Sequence, residues 1–285
     1  MQPDPSICYL NGEFLPLAEA KVSVLDRGFI FGDGIYEVVP VYYGKPFRFD
    51  QHLARFARSA REIGLADPLT PAQWRQLVRE LVARNAGEHQ CVYWQATRGA
   101  ARRDFAFPKD AAPTVFAMAS PLARPTPEQR TRGLAAVTRR DERWLRCDIK
   151  SVSLLGAVLA RQYAVEQGAD EVLQLRDGFL TEGSASNIWV VRGGTLIGAP
   201  RDHLILEGIR YRLIEELCRS AGVPFEVARL SKEEVAAADE LMLSAATREI
   251  LPITRLDGRP VGSGAPGPVY ARLRAGYDAA IEALR

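Results

Sequence analysis

The chain lacks the residue patterns that mark metal-binding, disulfide-stabilised or membrane-spanning proteins. It has only four cysteines and three histidines in 285 residues. The cysteines contain no CxxC pair, and the histidines share no metal-ligand spacing with them. No stretch approaches the roughly 18 consecutive apolar residues of a membrane span. We therefore expect reduced thiols, no metal site and a cytoplasmic protein. The four cysteines are Cys8, Cys91, Cys147 and Cys218.

An excess of charge of one sign is also missing. The 37 basic and 35 acidic residues are mixed along the chain and give a net charge of +2. A basic stripe for nucleic acid or a polybasic tract for a membrane surface is therefore not expected. The first six residues, Met1 to Ser6, show no positive region followed by an apolar run, so we expect no leader sequence there. Any anionic ligand would have to be bound by a local arrangement of donors.

The chain is long enough for two domains of ordinary soluble composition, with 47% hydrophobic and 25% charged residues. Strand-like and helix-like patterns alternate, which predicts an α/β (α+β) fold. Three prolines fall within residues 121–127, which we interpret as a linker. The expected arrangement is a small α+β domain over 1–120, the linker, and a larger domain over 128–285.

Local signals place several elements within these domains. Asn11-Gly12 predicts a tight hairpin, and Asp50 is the expected N-cap of a helix whose apolar stripe ends at Gly64. Thr70-Pro71 opens a second helix. A capping box spans Ser231 to Glu234.

Lys150 is the residue around which the chain is organised. Apolar residues follow it at helical spacing, so we expect this lysine where a strand gives way to a buried helix. Loss of solvation beside such a helix would lower the pKa of the amine and leave more of it neutral and nucleophilic. The alternative is a solvated lysine at the end of a strand. The apolar residues are Leu154, Leu155, Val158, Leu159 and Tyr163.

Glu182 supplies a second candidate. It lies in the turn-rich stretch 181–187, between the β-rich runs 172–175 and 188–191. Loops on rigid strands often hold catalytic groups. A pyridoxal phosphate enzyme needs a lysine that forms a Schiff base and a carboxylate that keeps the pyridinium nitrogen protonated. The sequence offers both in neighbouring segments.

Several motifs occur in the order typical of one family. They are Asp26-Arg-Gly-Phe-Ile-Phe-Gly-Asp-Gly-Ile-Tyr-Glu37, Arg146-Cys-Asp-Ile-Lys150, Thr181-Glu-Gly183 and Leu206-Glu-Gly-Ile209. On these motifs the chain resembles the fold type IV pyridoxal phosphate enzymes, most closely the D-amino acid aminotransferases. The resemblance implies two domains, with an active site at the domain and dimer interface of a homodimer. It also implies pyridoxal 5'-phosphate as cofactor, and small-molecule substrates, with transamination between a D-amino acid such as D-alanine or D-glutamate and a 2-oxo acid.

The resemblance also implies which residues bind the cofactor. Lys150 and Glu182 would act on its reactive carbon and its ring nitrogen, and Leu206 would pack against the ring. Arg55 would bind the phosphate, although by sequence alone it lies off the apolar stripe and is expected to be solvated, whereas His52 is expected to be structural. The helix start at Gly208 and Ile209 would present N–H groups to the phosphate.

Two departures from the family pattern concern that phosphate. Arg210 stands where the family has a threonine, and its role is open. Ala245 and Ala246 replace two expected hydroxyl residues. Any contact by this turn would use backbone N–H groups or the hydroxyls of Ser244 and Thr247.

The resemblance also implies a substrate pocket. Tyr36 and Val38 project from one face of a strand, because side chains alternate along strands, and would border the substrate. Arg103 would bind the substrate carboxylate together with Tyr36. Phe105 replaces the family's histidine, so the pocket is more apolar and activity on (R)-amines stays open as an alternative. By sequence alone this loop could equally be a solvated basic loop.

Three other functions are compatible with these residues. A branched-chain L-amino acid aminotransferase and an aminodeoxychorismate lyase share the fold and the lysine–glutamate pair. From a different class, the chain could bind pyridoxal phosphate without turnover, because the altered phosphate contacts do not guarantee catalysis.

Overall fold

The computed structural model describes residues 6–285, which form two compact units. The first unit runs to Ala123 and also includes Ile149–Leu154 and Leu284–Arg285. The second comprises Arg124–Asp148 and Leu155–Ala283. Most of the segment in which we expected no leader sequence, residues 1–5, lies outside the described residues. Among the helices of residues 6–285, none is long and apolar enough to cross a membrane.

The first unit contains a six-stranded antiparallel sheet with the order β2-β1-β6-β5-β3-β4. Its strands are β1 (Ile7–Leu10), β2 (Glu13–Pro16), β3 (Gly34–Tyr42), β4 (Lys45–Pro46), β5 (His89–Thr97) and β6 (Thr114–Pro121). Its helices are α1 (Arg27–Phe31), α2 (Phe49–Glu62) and α3 (Pro71–Arg84), with one 3-10 turn at Leu17–Glu19. Helices α2 and α3 share a buried core with β3 and β5, in which Trp74 stacks on Trp94.

Local sequence signals account for most of these boundaries. Asn11 and Gly12 both have positive φ and join β1 to β2. Thr70 caps α3 before Pro71, as predicted, and the structure adds a capping box with Gln73. The predicted N-cap of α2 is wrong, because Arg48 takes a left-handed conformation and the helix begins at Phe49. Asp50 therefore lies in the first turn, where its charge still favours the positive end of the helix.

The second unit is built on a nine-stranded mixed sheet with the order β12-β11-β10-β13-β14-β7-β8-β9, and β15 pairs with β14. Its strands are β7 (Leu134–Arg140), β8 (Glu171–Arg176), β9 (Phe179–Leu180), β10 (Asn187–Arg192), β11 (Thr195–Gly198), β12 (Phe225–Val227), β13 (Glu240–Ala245), β14 (Glu249–Leu256) and β15 (Arg259–Pro260). Its helices are α4 (Pro127–Arg132), α5 (Leu155–Glu166), α6 (Ile209–Ala221), α7 (Lys232–Ala236) and α8 (Pro268–Glu282).

Helix α5 corrects the expectation of a buried helix after Lys150. Leu155, Val158 and Leu159 are 71%, 58% and 51% exposed. Ala160 and Ala164 are buried instead and pack with Val172 of β8. Small side chains let the helix lie close to the sheet, so the larger apolar residues point away from it. The helix therefore presents an apolar face that the described part of the chain leaves exposed.

Candidate active site

Lys150 is held in the first unit by its main chain. Its carbonyl accepts a hydrogen bond from the Tyr36 N–H at 3.0 Å, and its own N–H donates to Ser59 Oγ at 3.2 Å. Ser151 forms a bridge with Ile35 of β3. Lys150 thus lies alongside the edge of β3, whereas the sequence placed it at the end of a strand that runs into a helix. Its Nζ is 4.1 Å from the centroid of the Tyr36 ring.

Tyr36 and Val38 lie on the same face of β3, as the alternation predicted. Both are half-buried, while Ile35, Glu37 and Val39 on the other face are buried. The Tyr36 ring stacks on that of Tyr93 with centroids 5.6 Å apart. Burial, with a smaller contribution from Tyr36, raises the pKa of Tyr93 to about 12. The face next to the Lys150 amine is thus lined by the rings of Tyr36 and Tyr93.

The opposite face of β3 contains a buried charge cluster that includes Arg55. Both oxygens of the Glu37 carboxylate accept from Arg55, at 2.7 and 2.8 Å, and Oε2 also contacts His52 Nδ1 at 2.7 Å. Arg55 is only 8% exposed, so the expectation of a solvated residue is wrong. Burial is possible because the bidentate pair compensates the lost hydration. The buried His52 is satisfied structurally, in line with its predicted role.

This cluster also connects Arg55 to Lys150. Ser59, which accepts from the Lys150 N–H, is one helical turn beyond Arg55 on α2. Burial alone would raise the pKa of Glu37, but the charges and hydrogen bonds of Arg55 and His52 outweigh it and hold that pKa well below its usual range. Arg55 is therefore fixed on the helix that also positions Lys150. Its contact with the cofactor phosphate stays a prediction.

Arg27 holds the loop that contains Arg103 and Phe105 by hydrogen bonds to its main chain. The buried Arg27 guanidinium donates to the carbonyls of Asp104 at 2.5 Å, Phe105 at 3.4 Å and Ala106 at 3.3 Å. Its Nε donates to Asp33 at 2.7 Å, and Arg98 binds the same carboxylate. Sequence reasoning missed this role of Arg27. The available signal was a charged pair inside the glycine-rich motif 26–37.

Within that loop, Arg103 and Phe105 lie side by side. The guanidinium carbon of Arg103 is 5.4 Å from the Phe31 ring centroid and 5.7 Å from that of Phe105. The two rings are 5.4 Å apart. Phe105 is 79% exposed and offers no hydrogen-bond donor. The predicted carboxylate-binding arginine is therefore held against aromatic rings.

In the second unit, Glu182 is buried and its two oxygens have different donors. Oε1 accepts from Arg143 Nη1, and Oε2 accepts from the Leu206 N–H at 3.0 Å. Burial raises the pKa of Glu182, and the hydrogen bonds and charge of Arg143 only partly oppose this. Arg143 in turn binds Asp141, at 2.9 and 2.8 Å. Neither Arg143 nor Asp141 was identified from the sequence, although both precede Lys150 closely.

The stretch from Leu206 to Ile209 lies directly beside Glu182. Asn187 Nδ2 donates to the Leu206 carbonyl at 3.0 Å, so Glu182 and Asn187 bind the N–H and the carbonyl of one residue. Gly208 is the N-cap of α6, and a Cβ at this position would collide with Asn187 Oδ1. The first N–H groups of a helix have no partner within the helix, which suits an anion. The structure thus brings Glu182, Leu206, Gly208 and Ile209 together, while their contacts with the cofactor stay a prediction.

Arg210 and the turn after β13 adjoin this helix start. The Arg210 side chain is buried, and it donates to the Tyr277 hydroxyl at 3.1 Å and to the Ala246 carbonyl at 3.4 Å. It therefore ties α6 to α8 and to the turn that contains Ala245 and Ala246. Ser244 is also buried, and its hydroxyl accepts from Trp189 at 2.9 Å. That bond uses only the oxygen of Ser244, so its O–H, the backbone N–H groups and Thr247 all remain as donors for an anion.

These residues match the requirements of pyridoxal phosphate. Lys150 provides an amine beside aromatic rings, and Glu182 provides a buried carboxylate paired with the Arg143 guanidinium. The start of α6 provides backbone N–H groups beside Gly208, where the lack of a side chain makes room for Asn187. The chain thus offers one suitable group for each part of the cofactor: for its aldehyde, its basic ring nitrogen and its phosphate.

Comparisons with known proteins agree. Residues 34–256 match the family described as amino-transferase class IV. A D-alanine aminotransferase of Staphylococcus epidermidis is 41% identical over 96% of this chain and 97% of its own length. That of Bacillus licheniformis is 38% identical over 95% of both.

Solved structures of related enzymes share the fold. A branched-chain amino acid aminotransferase from the archaeon Thermoproteus uzoniensis, with norvaline, has a TM-score of 0.89 at 27% identity, covering 97% of this chain and 95% of its own. A fold IV transaminase from Curtobacterium pusillum has a TM-score of 0.81 at 26% identity, covering 94% of this chain and 92% of its own. The chain therefore belongs to the amino-transferase class IV family and is a pyridoxal phosphate-dependent aminotransferase.

Proposed function

We propose that this aminotransferase moves the amino group of a D-amino acid, of the D-alanine or D-glutamate type, to a 2-oxo acid. The observation that supports this most is the similarity to D-alanine aminotransferases over nearly the whole chain, at 41% identity. The branched-chain enzyme of Thermoproteus uzoniensis shares the fold at a lower identity of 27%. Branched-chain L-amino acids and the lyase reaction remain the alternatives.

Lys150 acts in this proposal as the nucleophile and the general base. Bound pyridoxal phosphate supplies an aldehyde for the lysine and a ring that accepts electrons from the substrate α-carbon. After the substrate amine displaces it from the aldehyde carbon, the free Lys150 amine would take the proton from the substrate α-carbon and carry it to the former aldehyde carbon. The main chain of Lys150 is fixed by hydrogen bonds to Tyr36 and Ser59. Only the side chain therefore has to move when the amine transfers the proton.

Glu182 keeps the ring nitrogen protonated. Its carboxylate is buried, and a low-dielectric environment strengthens its interaction with a positive charge. Leu206 adjoins this carboxylate through its N–H and would pack against the ring. The N–H groups at Gly208 and Ile209, together with Arg55, bind the phosphate in this proposal. Ala245 and Ala246 contribute only backbone N–H groups.

Tyr36, Val38, Arg103 and Phe105 form the substrate side. Arg103 binds the substrate carboxylate as a charge-assisted pair, and Tyr36 adds a hydroxyl donor. Phe105 contributes apolar surface but no hydrogen bond. Because one donor is missing, a second candidate activity is transamination of (R)-amines that lack a carboxylate.

We also propose a homodimer in the cytoplasm. The exposed apolar residues of α5 support a second copy as the partner of that face. All four cysteines are free thiols, which supports a reducing compartment.

A donor panel tests this function. The holoenzyme is mixed with D-alanine, D-glutamate, L-leucine or (R)-phenylethylamine, with pyruvate or 2-oxoglutarate as acceptor. We expect turnover of both D-amino acids, and none without an acceptor. Turnover of L-leucine alone would assign the branched-chain activity. Release of pyruvate from aminodeoxychorismate without an acceptor would assign the lyase.

Borohydride reduction tests the assignment of Lys150 independently of turnover. We expect the reduced cofactor on the peptide that contains Lys150, and labelling that is lost in Lys150→Ala. Labelling at Lys150 with no spectral response to D-alanine would assign a binding protein without turnover. A label on another lysine would contradict the proposal.

A further inference from the structure

Glu182 is a costly residue to keep ionised. It is buried, and within the described part of the chain its carboxylate accepts from the Arg143 side chain and from the N–H of Leu206. A buried carboxylate without a cation tends to become neutral. A neutral carboxyl group would no longer stabilise a protonated ring nitrogen. The charge of Glu182 therefore depends on Arg143.

Arg143 is itself held in place by a second carboxylate. Its Nε and Nη2 donate to Asp141 at 2.9 and 2.8 Å, and its remaining nitrogen, Nη1, donates to Glu182. The planar guanidinium thus uses one edge for Asp141 and directs the other nitrogen at Glu182. This bridging arrangement needs the fixed fork of an arginine.

Asp141 is anchored independently of Glu182. It is buried, its N–H donates to the Leu175 carbonyl at 2.7 Å, and its Oδ2 accepts from Thr181 Oγ1 at 2.9 Å. Arg176 contacts its Oδ1 at 3.1 Å. Two arginines thus balance two buried carboxylates. Asp141 is tied both to β8 and to the residue that precedes Glu182.

We infer that Asp141 and Arg143 are positioning residues that hold Glu182 ionised and oriented toward the pyridine nitrogen of the cofactor. Asp141 fixes Arg143, and Arg143 fixes Glu182. This inference rests on the proposed contact between Glu182 and the ring nitrogen. It predicts that the pair acts on the cofactor only through Glu182.

The test compares variants by two readouts other than turnover. The first is the affinity of apoprotein for pyridoxal phosphate, and the second is the NMR shift of the ring nitrogen in isotopically labelled cofactor. Arg143→Gln is expected to weaken binding by about tenfold or more, because the ionised form of Glu182 loses its charged hydrogen-bond donor. It is also expected to move the ring nitrogen toward the neutral form.

A double-mutant cycle separates positioning from a general structural role. In the Glu182→Gln background, adding Arg143→Gln is expected to change neither readout further, because the residue on which it acts is already neutral. Arg192→Gln is the matched control: it removes an arginine of the same unit that pairs with Glu234 at 2.7 Å, away from Asp141, Arg143 and Glu182. We expect its ring-nitrogen signal to match that of the unmodified protein.

Two outcomes would overturn the inference. One is an Arg143→Gln protein with unchanged affinity and unchanged ring-nitrogen shift; the other is an effect of equal size with and without Glu182. If Arg143→Gln does not fold, Arg143→Lys decides, because it keeps the charge but cannot bridge both carboxylates, and unchanged readouts in it would likewise overturn the inference. If Glu182→Gln alone leaves the ring nitrogen unchanged, the proposed function of Glu182 fails instead.

Discussion

The buried carboxylate of Glu37 brings together two side chains of another element, Arg55 and His52. It accepts from Arg55 and contacts His52, and all three side chains are buried. The strand alternation that places Tyr36 and Val38 on one face necessarily places Glu37 on the other. Arg55 and His52 meet it there because they are three residues apart on one face of α2. A structural ion cluster thus lies directly behind the predicted substrate strand.

We predict that Glu37→Gln destabilises the protein by about 3–5 kcal/mol, because it leaves the buried Arg55 guanidinium without an anion. The pKa of Glu37 is lowered from its ordinary value of 4.5. Its stabilising contribution is therefore complete above that ordinary value and is lost as the pH falls toward the lower folded pKa. Denaturant unfolding at several pH values measures both effects.

The unmodified protein should lose stability on acidification through this range, and Glu37→Gln should lose less. Arg75 and Asp50 form an exposed pair that serves as a control, because Asp50→Asn is expected to change stability by at most about 1 kcal/mol. A variant at Glu37 that unfolds with the same midpoint and the same pH dependence as the parent would contradict this account.

At the scale of elements, the start of α6 depends on the absence of a side chain. Gly208 lies against Asn187, whose amide also binds the Leu206 carbonyl. The φ of Gly208, −65°, is accessible to any residue. Glycine is therefore required here because Asn187 lies too close for a side chain, and not because the backbone is strained. This distinction can be tested directly by adding one methyl group.

We predict that Gly208→Ala weakens pyridoxal phosphate binding by roughly tenfold, because the new methyl group displaces Asn187 or the helix start at a cost of about 1–3 kcal/mol. Fluorescence titration of the apoprotein measures the affinity. Ala221→Gly, at the other end of α6, is the control, since it weakens the same helix by about 1 kcal/mol without touching its start. Equal losses in the two variants would show that helix stability, not close approach, is responsible.

The loop at 104–106 is the second element whose position matters for the proposed function. Arg27 binds three consecutive carbonyls there, and Asp33 holds both Arg27 and Arg98. Arg103 directly precedes these carbonyls. Hydrogen bonds therefore connect the loop that contains Arg103, the residue proposed to bind the substrate carboxylate, to the glycine-rich motif before β3.

We predict that Arg27→Met raises KM for D-alanine by roughly ten- to a hundredfold with a smaller change in kcat, because a misplaced donor weakens carboxylate binding. Any turnover of (R)-phenylethylamine should be affected less, since it has no carboxylate. Steady-state kinetics with both donors measure the difference. Arg102→Gln, a substitution of an exposed residue close to this loop, should leave the kinetics with both donors unchanged. Equal losses for the two donors would contradict the positioning role of Arg27.

At the scale of the whole molecule, the exposed apolar face of α5 is the observation on which the proposed dimer rests. Its buried side consists of alanines, and its large apolar residues face outward. A set of exposed Leu and Val side chains on one helix is uncommon on a monomer that has no partner.

We predict a dimer in solution that Val158→Asp weakens, because a charge placed in an apolar interface loses its hydration. Sedimentation velocity across a concentration series measures the dissociation. Gln162→Glu, which adds a charge at a polar exposed position of the same helix, should leave the dimer intact. A monomeric parent, or a Val158→Asp protein that dimerises as tightly as the parent, would contradict the proposed assembly.

Local chemistry determined much of this protein from its sequence. The hairpin at Asn11-Gly12, the helix start at Thr70-Pro71 and the capping box at Ser231 all depend on neighbouring residues, and all appear in the fold. The family and the cofactor were also readable, because several motifs occur in a fixed order. These features need no knowledge of distant contacts.

Tertiary structure alone decided which charges are buried and which apolar residues are not. Arg55 looked solvated, and the pairs of Arg27 with Asp33 and of Arg143 with Glu182 were not seen at all. Helical spacing marks an apolar face of α5 but not whether the sheet meets that face or the alanines beside it. Burial of a charge depends on a partner that comes from another part of the chain, and spacing along the sequence does not record which residues meet in space.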